Sequence, residues 1–437
     1  MGDHDGGSAI RPGTGFRLRG LAAPVYLPTV LFGIGEGATA PVVVLAAHRL
    51  GADTATAGLV FALIGVGSIC GDVPAGVLAG RFGERRVMLG SVLLTALSMV
   101  GCLLAGQVWQ LGAAVFCEGL ATSAFGLARH AFLATSVPMS HRARAMSLLG
   151  GASRVGLFVG PFLAALVMGF GGLRAAFWVH LVVALLAGAS VLLLRDVEKG
   201  SGSRPDAPAA PRVSLRQVLA DHRRVFATLG TGVLLIGAVR ATRVAAVPLW
   251  AAHIGLDARQ TSLVFGFSSG LEMLLFYPAG KVMDRLGRAF VAVPCMVILA
   301  LGHAALLLAS GFASLLAVSM ALGFGNGIGS GIVLTLGADA APERGRTTFL
   351  GAWRLAADGG SAVGPLMVSA VTAAASLGAG LVVMAGMGMA GAGVFAKWIP
   401  RRPGVTVRSS AGAARSGPGA PGSGPAGTAP ARGTDRR

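Results

Sequence analysis

Ten ionisable side chains sit inside apolar stretches of this 437-residue chain: the acids Glu36, Asp72, Glu118, Glu272 and Asp358, and the bases Arg129, Arg154, Arg240, Arg243 and Arg354. An unpaired charge in hydrocarbon costs at least about 3 kcal/mol even on lenient scales, so such groups pair with one another or line a watered cavity. The equal numbers of acids and bases favour ion pairs. The chemistry open to such a set is proton exchange, because neutralising an acid releases its arginine and changes which arrangement is favoured. The competing role is a permanent structural bridge between helices. Glu36 is the first candidate: Phe32-Gly33-Ile34-Gly35 before it and Gly37-Ala38-Thr39 after it leave room for water, and Arg154 and Arg240 are its expected partners. His130, His180 and His303 have no second ligand at helical spacing, so no metal site is expected. Arg129-His130 reads as an interfacial anchor, and the four cysteines read as small packing residues.

The composition, 54% hydrophobic and only 12% charged residues with a mean hydropathy of +0.72, cannot form an ordinary soluble surface. Apolar stretches of spanning length read as 21–48, 54–79, 88–106, 109–134, 145–170 and 173–194, then 226–252, 258–282, 289–309, 311–337, 347–375 and 376–398. The fold class is therefore all-α: a polytopic membrane protein with twelve transmembrane helices in two pseudo-symmetric six-helix bundles. The symmetry is written in the chain. Pro74-Ala75-Gly76 recurs as Pro278-Ala279-Gly280 and Gly160-Pro161 as Gly364-Pro365, both at an offset of 204 that also places Gly51 on Gly255, Asp53 on Asp257 and Gly83 on Gly287 without a gap. Parallel duplication of a helical half is the architecture of secondary transporters, with the substrate path between the halves. The same offset sets Glu36 on Arg240 and Arg154 on Asp358, opposite charges at equivalent positions.

A net charge of +18 would suit nucleic acid only on a folded soluble face, whereas these bases crowd the even-to-odd connections and both termini. By the positive-inside rule, both termini and the central loop lie in the cytoplasm. The domains are a cytoplasmic segment 1–20, a bundle 21–194, a linker 195–224 with a short interfacial helix, a second bundle 225–398, and a disordered cytoplasmic tail 399–437. The first span reads as retained rather than cleaved, Gly6 spoils the myristoylation pattern, and no G-x-x-x-x-G-K-[ST] loop supports an ATP-driven pump.

Two motifs now carry a resemblance. Gly280-Lys-Val-Met-Asp284-Arg285-Leu-Gly287-Arg288 resembles the loop signature of the major facilitator superfamily, G-x-x-x-D-R-x-G-R. Gly76, Arg81, Gly83 and Arg85 form its N-terminal copy, in which Gly80 replaces the Asp and Glu84 an Arg. Glycines there permit a tight turn, and the Asp and Arg side chains reach helix ends and charges of the neighbouring half as a conformational latch. In the first copy the latch is weakened, with Asp72 as a substitute acid or a packing residue. Gly156-x-x-x-Gly160-Pro161 is similar to the fifth-helix element of the superfamily's drug exporters, with Ala164 and Ala165 in place of its final glycines. The fourth span departs from those exporters, carrying Glu118-Gly119 where they place an Arg before Gln-Gly.

The resemblance implies a proton-coupled exporter of small lipophilic or amphipathic molecules working by alternating access. It is not an enzyme, uses no cofactor beyond the proton gradient, and acts as a monomer in the cell membrane among lipids. The alternatives are a proton symporter importing a small metabolite, a lipid flippase and a non-transporting receptor of the same fold. In the resembling fold, spans 1, 4, 7 and 10 line the cavity with 2, 5, 8 and 11 beside them, and Glu36, Glu118, Arg154, Arg240, Glu272, Arg354 and Asp358 form the expected charge network. Trp250, Phe265, Met273 and Trp353 are the expected substrate contacts.

Overall fold

The computed structural model describes residues 25–137, 139–193, 214–343 and 345–400. The segment 1–20, most of the linker and the tail beyond residue 400 lie outside the described residues. The N-terminal half contains α1 (Leu27–Arg49), α2 (Thr54–Phe82), α3 (Glu84–Leu104), α4 (Val108–Ser136), α5 (Met139–Gly171) and α6 (Ala175–Leu193). A short α7 (Leu215–Asp221) follows, capped by Ser214 accepting from the Gln217 amide at 3.2 Å. Then α8 (Arg223–Val225) runs through a π-helical turn at Phe226–Gly230 into α9 (Thr231–His253). The second half continues with α10 (Ala258–Leu286), α11 (Arg288–Leu306), α12 (Phe312–Ile328), α13 (Ile332–Ala340), α14 (Arg346–Ala374) and α15 (Leu377–Trp398).

Among the described residues, 11 helical stretches are long and apolar enough to cross a membrane, with α8–α9 and α12–α13 each counted as one. The twelfth helix of the repeat is α14, which holds Arg354 and Asp358 within 29 residues. The expected single span 311–337 is instead two helices, because Gly331 adopts φ +83 and breaks the ladder between α12 and α13.

The duplication survives in detail. Gly51 and Gly255 turn at φ +90 and +78, and Gly83 and Gly287 at +86 and +94, left-handed values that glycine adopts without strain. Asp53 and Asp257 each cap the next helix, accepting the Thr56 and Gln260 amides at 2.7 Å. The hydrogen bonds from Thr56 hold the Asp53 carboxyl below the usual range. Packing repeats as well: Gly156 and Gly160 of α5 lie directly against the Val30 and Ile34 carbonyls of α1. Gly360 and Gly364 of α14 lie against Leu234 and Ala238 of α9, each 204 residues later. A Cβ at any of the four would meet backbone, so only glycine permits this approach.

The halves meet along two seams, α2 with α14 and α5 with α10. At the end carrying the 50–53 and 254–257 turns they are closed. Ser369 of α14 donates to the Ala55 carbonyl, and Gly58 of α2 packs near Leu249 and Ser369. A cavity of about 420 Å³ there is lined by both halves, including His48, Arg49, His253 and Asp257. At the opposite end Gly76, Gly80, Gly280, Gly351 and Gly359 face open space, and Val73, Val77 and Leu355 are exposed. These positions of α2, α10 and α14 are not covered by other residues.

Candidate functional site

The close α1–α5 and α9–α14 contacts fix the rotation of α5 and α9, and that rotation aims their arginines at α10. Arg154 of α5 donates from Nη1 to Glu272 Oε1 at 2.8 Å, and Arg243 of α9 donates from Nη2 to Glu272 Oε2 at 2.9 Å. One carboxylate is thus held by a guanidinium from each half. The three side chains are 22%, 16% and 7% exposed for Arg154, Glu272 and Arg243, so the bridge is well shielded. Around it, Arg154 also donates to Ser330 Oγ at 3.1 Å and lies over the Phe276 ring, 4.5 Å from its centroid. Arg243 donates to Ser268 Oγ at 3.1 Å. Arg240 donates to the Asn326 carbonyl at 3.2 Å, beside the α12–α13 break.

A second cluster lies wholly in the N-terminal half. Glu118 of α4 sits 3.6 Å from His180 Nε2 of α6, with the Thr95, Ser98 and Thr122 hydroxyls beside its buried carboxyl. Thr39 Oγ1 is 3.1 Å from His180 Nδ1. Glu36 interacts electrostatically with Arg129 and with Glu118. On the α2–α14 seam, Ser123 donates to Asp72. Arg354 Nε reaches Asp358 at 3.3 Å one helical turn away, and Asp72 lies within electrostatic reach of Asp358.

Several expectations are corrected. Glu36 faces Arg129 rather than Arg154 or Arg240, because Arg154 is committed to Glu272 across the seam. Arg129 is accordingly no mere interfacial anchor; its guanidinium lies 5.6 Å from the Phe125 centroid, in the same cluster as Glu36. Trp250, Phe265 and Trp353 are buried in this conformation: the Trp250 and Trp353 N–H groups donate to the Ala309 and Val333 carbonyls at 2.9 and 2.8 Å, which ties each ring inward. Met273 is half-buried.

The loop motifs also bond within their own halves in this conformation. Arg288 pairs with Asp339 at 2.9 Å and reaches Asp284 at only 4.0 Å. Arg85 donates to the Val191 and Leu192 carbonyls at the end of α6, and Arg81 lies 5.5 Å from the Phe82 centroid. No ion pair to the other half forms from Arg81, Arg85, Asp284, Arg285 or Arg288 among the described residues. The fifth-helix element Gly156, Gly160 and Pro161 packs on α1, with Pro161 beside Gly37, and its counterpart in α14 does the same against α9.

Sequence reasoning did not assign roles to Arg243, Ser268, Asn326, Ser330, Asp339 or His180. The usable signal for the first four was the glycine-rich run Gly325 to Gly331, which breaks a helix opposite two buried arginines. Among the described residues no group of acids, histidines and cysteines is disposed to hold a metal.

Two halves related by an internal repeat meet along α2–α14 and α5–α10, and sequence relationship places this arrangement. The sequence profile of the Major Facilitator Superfamily matches residues 25–242 and 229–432. The chain belongs to the Major Facilitator Superfamily. Within it, the multidrug resistance protein MdtG of Enterobacter lignolyticus is 24% identical over 198 residues, 42% of this chain and 47% of that one. An MFS-type transporter of Mycobacterium tuberculosis is 27% identical over 206 residues, covering 46% of this chain and 29% of its own length. The matches thus span about half or less of those relatives, whereas the transporter YdeG of Bacillus subtilis is 25% identical over 74% of this chain and 79% of its own. Among solved structures, a POT family transporter in complex with a thioalcohol-conjugated peptide superposes with a TM-score of 0.73 at 11% identity, over 86% of this chain and 95% of that one. The nucleoside transporter NupG superposes at 0.69 and 14% identity, over 87% and 98%. At such identities the likeness is of fold alone.

Proposed function

We propose that this superfamily transporter is a proton-coupled exporter of small lipophilic or amphipathic molecules, working by alternating access as a monomer in the cell membrane with both termini cytoplasmic. The observation that carries the coupling is Glu272, whose two oxygens are held by Arg154 from one half and Arg243 from the other. A proton delivered to Glu272 removes the charge that binds the halves at the α5–α10 seam, so proton occupancy and conformation are linked through one group. Glu36 and Glu118 in the N-terminal cluster and Asp358 on the α2–α14 seam are further carboxyls available to take part in proton transfer. Export is supported by the fifth-helix element and by relatives bearing the name multidrug resistance protein. No cofactor is required by this scheme, since the proton gradient supplies the energy.

The test is a growth-inhibition screen of diverse toxic compounds in a host stripped of its own exporters. Expression should raise resistance to at least one lipophilic compound, an uncoupler should abolish the intracellular depletion, and Glu272→Gln should do the same. Sensitisation in place of resistance would indicate uptake.

A further inference from the structure

The buried cluster at the α5–α10 seam does not balance. It contains one carboxylate, Glu272, and three guanidinium groups, Arg154, Arg240 and Arg243, which act electrostatically on it and on one another. Glu272 spends both oxygens on Arg154 and Arg243. Arg240 has no ion pair within 4.0 Å among the described residues; it holds the Asn326 carbonyl with one Nη and interacts with the Cys295 thiol, while its buried Nε has no hydrogen-bond partner. The buried Nε of Arg243 and the Oδ1 of Asn326 are also unpartnered. A surplus of two positive charges at mid-membrane depth is costly unless an anion joins it.

The backbone around Arg240 is shaped for close approach. The α12–α13 break at Gly329-Ser330-Gly331 brings Gly329 so near Arg240 that a Cβ there would lie 2.7 Å from its Nη2. Ser330 turns its hydroxyl to Arg154 and the Asn326 carbonyl. Discontinuous helices at the interface of transporter repeats are where charged parts of substrates bind. In the other half the position equivalent to Arg240 is Glu36, which carries the opposite charge.

We infer that Arg240, with Arg154 and Ser330 at the α12–α13 break, forms a binding site for an oxyanion, so that the transported molecules are amphipathic organic acids: a carboxylate, sulfonate or phosphate on an apolar body. The Arg240 Nε is buried and lacks a hydrogen-bond partner, so an oxyanion reaching it would satisfy a donor the protein leaves open, and the planar guanidinium would hold it as a fork, a geometry that a lone ammonium does not supply. The apolar remainder would then lie between the two halves. This inference deepens the exporter reading by naming its substrate class and rests on that reading.

The test uses the full-length protein in lipid nanodiscs and three naphthalene probes of matched shape: 2-naphthalenesulfonate, the neutral 2-naphthalenesulfonamide and 2-naphthylmethylammonium. Affinities are measured by titration calorimetry without any proton gradient. The sulfonate is expected to bind at least about tenfold more tightly than the sulfonamide, as for a hydrogen bond to a charged partner, and the ammonium more weakly than both. Arg240→Gln should erase the preference, Arg240→Lys should keep part of it, and Arg49→Gln at the closed end should leave it unchanged. Displacement of the sulfonate by dihexanoyl phosphatidate would support the same site with a lipid headgroup as occupant; no displacement would support a free organic acid. Equal affinity for sulfonate and sulfonamide, or a preference that survives Arg240→Gln, overturns the inference. Because no gradient is applied, these results stand apart from the coupling claim: proton-driven efflux without anion preference sinks only this inference, and anion preference without proton-driven efflux sinks only the coupling.

Discussion

Glu272→Gln is the perturbation with the clearest structural consequence. It keeps the side chain's shape but leaves Arg154 and Arg243, bound at 2.8 and 2.9 Å, without a counter-charge. Removing one partner of a buried pair costs about 3–5 kcal/mol. Arg243 lies in the same half as Glu272, so only the Arg154 share bears on how the halves sit together. Dividing the cost evenly gives about 2 kcal/mol across the seam, or about thirtyfold in a conformational equilibrium at about 1.4 kcal/mol per decade. The conformation seen here, open at the end of Gly80 and Gly351, loses that stabilisation. Spin labels at Gly80→Cys and Gly351→Cys, both facing open space, in a background without the native cysteines, read the change as a growing short-distance population in pulsed dipolar measurements. Arg154→Gln should give the same shift, and the double variant no more than either alone, because both remove one interaction. An unchanged distance distribution in Glu272→Gln would show that the bridge exists equally in all conformations, and the coupling argument would fall.

Three further outcomes are expected. Gly160→Leu should abolish transport while leaving membrane insertion intact, because its side chain would meet the Ile34 carbonyl of α1, whereas Gly169→Leu on the same helix, where nothing lies within 4 Å, should be tolerated; equal tolerance in a transport assay would reduce the fifth-helix element to composition. Glu36→Gln should preserve substrate binding but remove substrate-induced proton release and uphill efflux, as measured in reconstituted vesicles; full proton-driven efflux from pH 6 to 8 in that variant would leave Glu36 structural, with Glu118 or Asp358 next to test. An impermeant thiol reagent should label Asp257→Cys, at the cap of α10, in intact cells, but Ser201→Cys and Gly417→Cys only after the membrane is opened; labelling at Ser201 from outside would invert the topology.

The repeat made much of this fold legible. Residues that recur at the offset because backbone geometry demands them, such as the turn glycines Gly51, Gly83, Gly255 and Gly287 and the caps Asp53 and Asp257, kept the roles their types suggest. The close-packed Gly156, Gly160, Gly360 and Gly364 did likewise, since small residues at helical spacing have one evident use in a membrane. Charge pairing was less legible for a physical reason. The offset relates Arg154 to Asp358 and Glu36 to Arg240 by symmetry, and symmetry mates occupy equivalent places in opposite halves, not the same place. Arg154 therefore meets Glu272 on α5–α10, while Asp358 lies near Asp72 on α2–α14. The burial of the aromatic residues was not legible because their apolar rings look alike from the sequence, whereas the hydrogen bonds that turn Trp250 and Trp353 inward involve carbonyls outside their own helices. The helix break at Gly331 was obscured by a hydrophobic run that continues across it.

The central claim, that protons drive export through the charge network, is tested most directly in inverted membrane vesicles with both proton gradient and substrate under control. A panel of anionic, neutral and cationic lipophilic dyes is offered to vesicles energised by acidifying the lumen. Accumulation of at least one dye is expected in vesicles containing the protein; it should collapse with an uncoupler and be absent with Glu272→Gln. Accumulation that persists without the gradient, or that is undiminished in Glu272→Gln, would contradict the account.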